Sequence, residues 1–392
     1  MINFEREAHA LRDSLIARRR DFHQHPELSF QEERTARIVA ETLSALGLEV
    51  QTGVGQTGVI GILEGAGDGP TVLVRCDMDA LPIEEANDFE FRSQNPGVMH
   101  ACGHDAHTAI ALGVAELLHA RRDSLHGRVK FVFQPAEEIG EGAQAMIEDG
   151  ALQAPVPDYA FGLHNWPWLP VGDVVVSPGP LMAGAGKFVA RLIGAGGHAA
   201  SPHTTTDPVI AAAQITTALQ TLVSRNLDPL EAAVLSVTQI NAGEVFNVIP
   251  NEATLTGTFR TFTPATRDKV IARFTQLVEK TASAFNCRVE INIAELMPPL
   301  SNDPNVINRL QQAYARTYPG ITQHTQYRSM ISEDMGWFME HAPGAYLFVG
   351  SGNPAQGADY PLHHAQFTID EDALVTGAMV LAGAVSEYVF HD

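Results

Sequence analysis

KFVARLIG (187–194), PVIAAAQITTALQTLV (208–223), AVLSVTQI (233–240), ATLTGTFRTF (253–262), RDKVIARFTQLVEKTASAF (267–285) and CRVEINI (287–293) follow one another with short connections between them. The first alternates apolar and polar residues as a half-buried strand does. In the second, Val209, Ile210, Ala213, Ile215, Ala218, Leu219 and Leu222 recur at helical spacing. Two further alternating stretches precede a second helical one, carried by Val270, Phe274, Leu277 and Val278, and a last strand closes the run. The order β-α-β-β-α-β is that of a ferredoxin-like unit. A unit of about 110 residues with its own apolar faces reads as an inserted domain, expected over 186–299. Pro178, Gly179 and Pro180 before it and Pro298 and Pro299 after it supply the hinges.

The flanks follow a different rhythm. Helical spacing at Arg12 to Phe22 and Thr35 to Leu46 is followed by an apolar strand at Thr71 to Asp77, an amphipathic helix at His107 to Arg121, and a strand at Val129 to Phe133. A helix at Ala143 to Asp149 and a strand at Asp158 to His164 come next, and beyond the insertion lie Asn305 to Tyr318 (helix), Ala345 to Val349 (strand) and Asp370 to Phe390 (helix). Alternation of this kind predicts an α/β domain with a central, mostly parallel sheet, made discontinuously from 1–185 and 300–392.

Composition narrows the function. With 25 Lys plus Arg against 46 Asp plus Glu, the formal charge of −21 repels a phosphate backbone, so no nucleic-acid partner is expected, and an anionic substrate must be received by a local positive site. Three cysteines, Cys76, Cys102 and Cys287, form no Cys-x-x-Cys pair and no even framework, which fits a reducing, cytoplasmic setting. Residues 1–20 lack the apolar core of an export signal, and the apolar run Leu374 to Val385 covers only about half of the ~20 residues a membrane span needs, so it is expected to be a buried helix.

Chemistry concentrates in HACGHDAH (100–107), where three histidines and a cysteine crowd eight residues just before a helix. A thiolate and an imidazole two positions apart can reach one transition-metal ion, with Gly103 allowing the sharp path between them; the plainer reading is a helix entry capped by Asp105. QPAEE (134–138) places two adjacent carboxylates after a strand, where α/β proteins keep their sites. One can ligate a metal while its neighbour serves as a general base; alone, the pair would equally suit an exposed acidic turn. His164 at another strand end, and His363 with His364 near the C-terminal side, are further candidates, each singly more often structural.

VRCDMDALPI (74–83), GVMHACGHDAHTA (97–109), FQPAEEIGEGA (133–143), GLHNWPWLPVG (162–172), GAGGHAASPH (194–203), FNVIPNEATLTGTFRTF (246–262), SEDMGWF (332–338) and YPLHHAQF (360–367), together with ARRRDFHQHPELSFQEERTA (17–36), resemble the signatures of the N-acyl-L-amino-acid amidohydrolase and hippurate hydrolase family, almost end to end and in order. The resemblance implies a catalytic α/β domain with two divalent metal ions and an inserted lid and dimerisation domain. It implies Cys102 as the bridging ligand, His104 and Glu138 completing one site, His164 and His363 the other, and Glu137 as general base and acid. Asp79 matches a carboxylate that orients the metal cluster, with His107, Glu333 and Asp334 as further supporting groups. His364 stands where the family commonly has asparagine or serine. In the insertion, His198 matches a histidine that reaches the scissile carbonyl, commonly from the partner subunit of a homodimer, while Asn247 and Arg260 match substrate-binding positions. Arg260 suits a free carboxylate through a bidentate contact, although a solvated strand arginine or a salt bridge would look the same in sequence.

The expected reaction is therefore hydrolysis of the amide of an N-acyl amino acid, with zinc, manganese, cobalt or nickel suited to the mixed ligands. No Gly-x-Ser-x-Gly elbow offers a serine alternative. A dipeptidase or carboxypeptidase with the same centre is the nearest rival. A non-catalytic metal-binding or sensing protein is a more distant one, disfavoured by the presence of Glu137 beside the full ligand set.

Overall fold

The computed structural model of the chain describes residues 1–390. It divides into two compact units, one formed by Met1–Leu181, Ser301–Arg328 and Asp334–Asp392, the other by Met182–Leu300 with Ser329–Glu333.

The first unit is built on an eight-stranded sheet in the order Glu49–Val54, Gly58–Glu64, His126–Gln134, Gly67–Asp77, Tyr159–Pro170, Gly344–Gly352, Asp173–Val175, Thr322–His324. Its four central strands run parallel, with Val72 opposite Val129 and Tyr159, and Phe348 opposite His164. These strands are near-continuous apolar runs, buried on both faces, which is what a parallel sheet covered by helices on both sides requires. The first two strands in sheet order pair antiparallel with each other, and the second, Gly58–Glu64, pairs antiparallel with His126–Gln134. They escaped the sequence reading because Gly53, Gly55, Gly58 and Gly61 break the run as turn residues would.

Two helices carry the core behind this sheet. His104–His119 begins three residues earlier than the spacing indicated and is buried on nearly every side, so it is not the amphipathic helix expected. It is packed both toward the sheet and toward the helices Arg12–Gln24 and Asp372–Val389, which leaves no face for solvent. Asp372–Val389 is likewise enclosed along its length: long and apolar enough to cross a membrane by composition, it is a core helix here.

The second unit has a four-stranded antiparallel sheet, Ala233–Ala242, Glu252–Thr261, Gly184–Ile193, Arg288–Met297 in spatial order, with the helices Pro208–Asn226 and Pro264–Ala284 sharing its core. Glu252–Thr261 alternates strictly between its two faces, burying Ala253, Leu255 and Phe259. Both helices start at a side-chain cap followed by proline, Asp207 accepting from the Val209 and Ile210 amides and Thr263 from the Thr266 amide, so their starts are written locally. Phe188, Ile215, Leu219, Phe274 and Val278 then close a core of the unit's own, each contributing roughly 1.5–3 kcal/mol by leaving water.

Candidate functional site

The sequence HACGHDAH folds as a loop that turns into a helix at His104. Gly103, the residue at the turn, has φ +88°, and a Cβ there would lie 2.3 Å from the Asn165 side chain, so the path from Cys102 to His104 needs glycine. Asp105 is not the helix cap. It lies in the first turn with its carboxylate turned away, accepting from Arg19 Nε at 2.9 Å and bonding His23 Nδ1 at 2.8 Å. This buried Arg–Asp–His cluster, extended by His23 Nε2 to Glu85 at 3.1 Å, ties the helix Arg12–Gln24 to the start of His104–His119.

Other elements converge on the same point. Glu137 and Glu138 follow the strand His126–Gln134 through Ala136, whose φ of +54° turns the chain sharply. His164 lies within a strand rather than at its end, because Tyr159–Pro170 runs on beyond the expected stop at 164 and pairs as far as Gly352. His363, with φ +64°, is tied to the cysteine loop by its amide, which donates to the Ala101 carbonyl at 2.8 Å. Potential ligand atoms of Cys102, His104 and His164 lie within 4.8 Å of one another, as do those of Cys102, Glu138 and His363, and those of His104, Glu137 and Glu138. The first two groups share Cys102. Glu138 also reaches His363 Nε2 at 3.3 Å and His104 Nε2 at 3.9 Å.

Hydrogen bonds fix which imidazole nitrogens remain available. His104 Nδ1 is 3.2 Å from Asp79 Oδ1, and His104 Nε2 is buried without a hydrogen-bond partner. His164 Nδ1 bonds the Asn165 carbonyl at 2.7 Å, which leaves its Nε2, 3.5 Å from Cys102 Sγ, as the acceptor nitrogen. His107 is different: Nδ1 meets Asp77 Oδ1 at 2.6 Å and Nε2 accepts the Asn165 amide at 3.0 Å, so both nitrogens are occupied and it supports the strand bearing His164. Glu138 Oε1 is a second buried atom without a hydrogen-bond partner. Burial works against a charge on His104, but Asp77, Asp79 and Glu138 outweigh it and raise its pKa; burial raises Glu138 in turn. A thiol, imidazoles and carboxylates with unsatisfied inward atoms, in a place where carboxylates draw positive charge, fit transition-metal ions.

Behind these candidate ligands lies a buried network whose members are far apart in sequence. Arg75 donates through Nε to Gln134 Oε1 at 2.8 Å, through Nη1 to Asp77 Oδ2 at 2.8 Å and through Nη2 to Asp334 Oδ1 at 2.6 Å. Asp334 also accepts from Gln134 Nε2 and from the Ala143 amide. Asp77 is thus no turn cap; it joins Arg75 to His107, and its pKa is held well below the usual range by His104, His107 and Arg75 against the opposing effect of burial. A lone arginine inside the apolar run VLVRCD was the available clue. Asp79 Oδ2 accepts from Ser29 Oγ at 2.8 Å and from the Glu138 amide at 3.1 Å, so its carboxylate links His104 to Glu138. His364 faces elsewhere, stacked on Tyr360 at 4.6 Å with Nδ1 accepting the Gln366 amide.

The remaining candidates belong to the second unit. Exposed His198 sits in a two-residue strand paired with Val248–Ile249, and the Asn247 carbonyl beside it accepts the Ala199 amide at 3.0 Å. Arg260 is half-buried, bonds Thr258 Oγ1 and the Phe259 carbonyl of its own strand, and makes no ion pair among the described residues.

Known proteins are similar to this chain in sequence and in fold. An N-acetyl-L-cysteine deacetylase of Bacillus subtilis (strain 168) is 40% identical over 371 residues, 95% of this chain and 87% of that protein. A thermostable carboxypeptidase 1 of Saccharolobus solfataricus is 38% identical over 95% of this chain and 94% of its own. The crystal structure of a Bacillus subtilis protein described as a dinuclear metal binding peptidase superposes with a TM-score of 0.84 at 37% identity, covering 96% of this chain and 97% of that one. Residues 73–387, which contain both the ligand cluster and the whole second unit, match the model of peptidase family M20/M25/M40, and the chain belongs to that family.

Proposed function

We propose that this protein hydrolyses the amide of N-acyl amino acids, releasing a carboxylic acid and a free amino acid, at a centre of two divalent metal ions. The observation that carries the proposal is the pair of ligand groups sharing Cys102, with Glu137 within 4.8 Å of two of their members. Cys102 would bridge, with His104, Glu138, His164 and His363 completing the set; zinc, manganese, cobalt and nickel all suit these donors. When bound, such ions act as Lewis acids toward a carbonyl and bring the pKa of water from 15.7 to near 7.

The protein's own groups do the rest. Glu137, buried to 7% exposure, takes the proton of the attacking water and delivers it to the leaving nitrogen as the C–N bond breaks, so one carboxyl serves both halves of the reaction. Asp79 keeps His104 in the tautomer with Nε2 directed inward. His198 donates to the oxygen that becomes negative at the carbonyl, acting from the partner subunit of a homodimer formed through the second unit, whose sheet ends in two open edge strands. Arg260 receives the substrate carboxylate and Asn247 contacts the substrate separately; the role of Arg260 is supported by its having no acidic partner among the described residues. Three buried free cysteines suit a cytoplasmic enzyme.

The relative named as a carboxypeptidase favours a second reading in which the same centre cleaves dipeptides. A screen of N-acetyl and N-benzoyl amino acids against free dipeptides, on chelated protein reloaded with each metal in turn, separates the two by released amine. Activity is expected only after reloading, at close to two ions per chain, and highest on the acylated substrates. Full activity in protein shown by elemental analysis to be metal-free would overturn the mechanism.

A further inference from the structure

The amide one residue before Glu137 is held by a carboxylate to which none of the roles above is given. Glu32 is fully buried, at the N-terminal edge of the helix Glu33–Ala45. Its Oε1 accepts two backbone amides, Phe30 at 3.0 Å and Ala136 at 3.0 Å, and its Oε2 accepts the Thr57 hydroxyl at 2.5 Å. Both amides belong to non-glycine residues in left-handed backbone, Phe30 at φ +61° and Ala136 at φ +54°. Residues other than glycine hold that conformation only where their surroundings enforce it. One oxygen therefore fastens two such residues to each other across the fold, and one of them immediately precedes Glu137.

The other side of Glu137 is fastened from the same segment. The Glu138 amide donates to Asp79 Oδ2, which also accepts from Ser29 Oγ. The segment is itself anchored by the Ala80 amide, which donates to the Glu27 carbonyl at 2.8 Å, and by a bridge between Leu28 and Ala80. Resting on the reading of Glu137 as the base, we propose that Glu32 is a positioning residue: it holds Ala136 left-handed and so aims the Glu137 carboxylate, while Asp79 holds the amide that follows. Its requirement is for length and an acceptor oxygen rather than for charge. Glutamine meets it, since its amide oxygen can serve both backbone donors and its nitrogen can face the rotated Thr57 hydroxyl. Aspartate keeps the charge but is one methylene too short.

The test compares Glu32→Gln, Glu32→Asp and Glu32→Leu as metal-loaded protein of verified metal content, by kcat and KM on an N-acyl amino acid and by hydrogen exchange of the Ala136 amide. A misaimed base should cost roughly tenfold to a hundredfold in kcat, with KM and metal content near wild type, in the Leu and Asp variants, and Ala136 should exchange faster in both; Glu32→Gln should stay within about threefold of wild type. Should Glu32→Leu fail to fold, the Gln and Asp pair decides. Wild-type kcat in the Asp variant, a Gln variant as impaired as the Asp one, or unchanged Ala136 exchange would overturn the proposal. If wild-type protein hydrolyses no N-acyl amino acid, the proposed function fails by itself, and the exchange measurement still reports whether Glu32 holds Ala136.

Discussion

Replacing Arg75 by methionine should expose how strongly the support behind the ligands depends on one cation. Its guanidinium is fully buried and pairs with two carboxylates, Asp77 and Asp334, that are equally buried. Methionine is apolar and of similar reach, so the change removes charge with little change of packing. Removing one partner of a buried pair costs ~3–5 kcal/mol, and here two carboxylates are orphaned, although Asp77 keeps His107 and Asp334 keeps Gln134 and the Ala143 amide. The variant can relieve the repulsion by protonating one of them. At pH 7 that costs about 4 kcal/mol, from a carboxyl pKa near 3.9 in the unfolded chain, and at pH 5 only about 1.5 kcal/mol. The total loss is thus expected to be about 4–6 kcal/mol at pH 7 and about 2–3 kcal/mol less at pH 5. The sign follows from linkage: in the variant the folded pKa of one Asp is raised, so stability retained at low pH is lost as pH rises, whereas wild-type Asp77, held low, does not titrate in this window. All three tryptophans, Trp166, Trp168 and Trp337, lie in the first unit, so urea unfolding of metal-free protein followed by tryptophan fluorescence reads that unit alone. A loss under about 1 kcal/mol at pH 7, or one equal at both pH values, would refute the reasoning.

The adjacent carboxylates should fail differently: Glu137→Gln should lower kcat by about a hundredfold or more with metal content intact, whereas Glu138→Gln should weaken metal retention on dialysis, and normal kcat in Glu137→Gln at saturating metal would remove it as base. Burial pushes the Glu32 carboxyl up to about 7 from an ordinary 4.5, so its contribution, present below pH 4.5, is lost as pH rises through 7, to a limit of about 3 kcal/mol. Glu32→Gln should accordingly flatten the dependence of urea midpoint on pH between 5 and 8, and an unchanged slope would contradict it. Losing His198 should cost about a hundredfold to a thousandfold in kcat, and co-expressed His198→Ala and Glu137→Gln chains should recover roughly a quarter of wild-type sites if the histidine acts across a dimer. Activity of verified heterodimers no higher than that of the separate mutants would place its action within one chain.

Legibility differed between the two units for physical reasons. The second announced itself because its strands bury one face, so alternation in ATLTGTFRT survives as a pattern, and because Asp207-Pro208 and Thr263-Pro264 mark their helices locally. In the first, the central strands and the helices His104–His119 and Asp372–Val389 are buried nearly all round. Periodicity fades there, which is why His104–His119 looked shorter and more amphipathic than it is, and why the glycine-broken edge strands went unseen. The residue types that crowd together could be read from the sequence, whereas the place of His164 inside its strand rather than at its end could not. What could not be read is long-range pairing: nothing near Arg75 in sequence names Asp334 as its partner, and nothing near Glu32 names Ala136. His107 illustrates the limit most directly, since only its two hydrogen bonds separate a supporting histidine from a ligand.

The discontinuous construction of the first unit also has a consequence in time. Its sheet is unfinished until the strand Gly344–Gly352 takes its place beside Tyr159–Pro170, and its core lacks the helix Asp372–Val389 until later still. Residues 182–300, by contrast, form a nearly contiguous unit with a core of their own, so during synthesis on the ribosome they can fold while everything made before them waits. The interval is set by the 179 residues between His164 and Gly344, which at about 5–20 residues per second amounts to roughly nine to thirty-six seconds. For that period Cys102, His104 and His164 would be carried on a half-built sheet. The later-made unit can thus be the earlier-folded one, with His363 joining the candidate ligands only once the last-made part of the chain is in place.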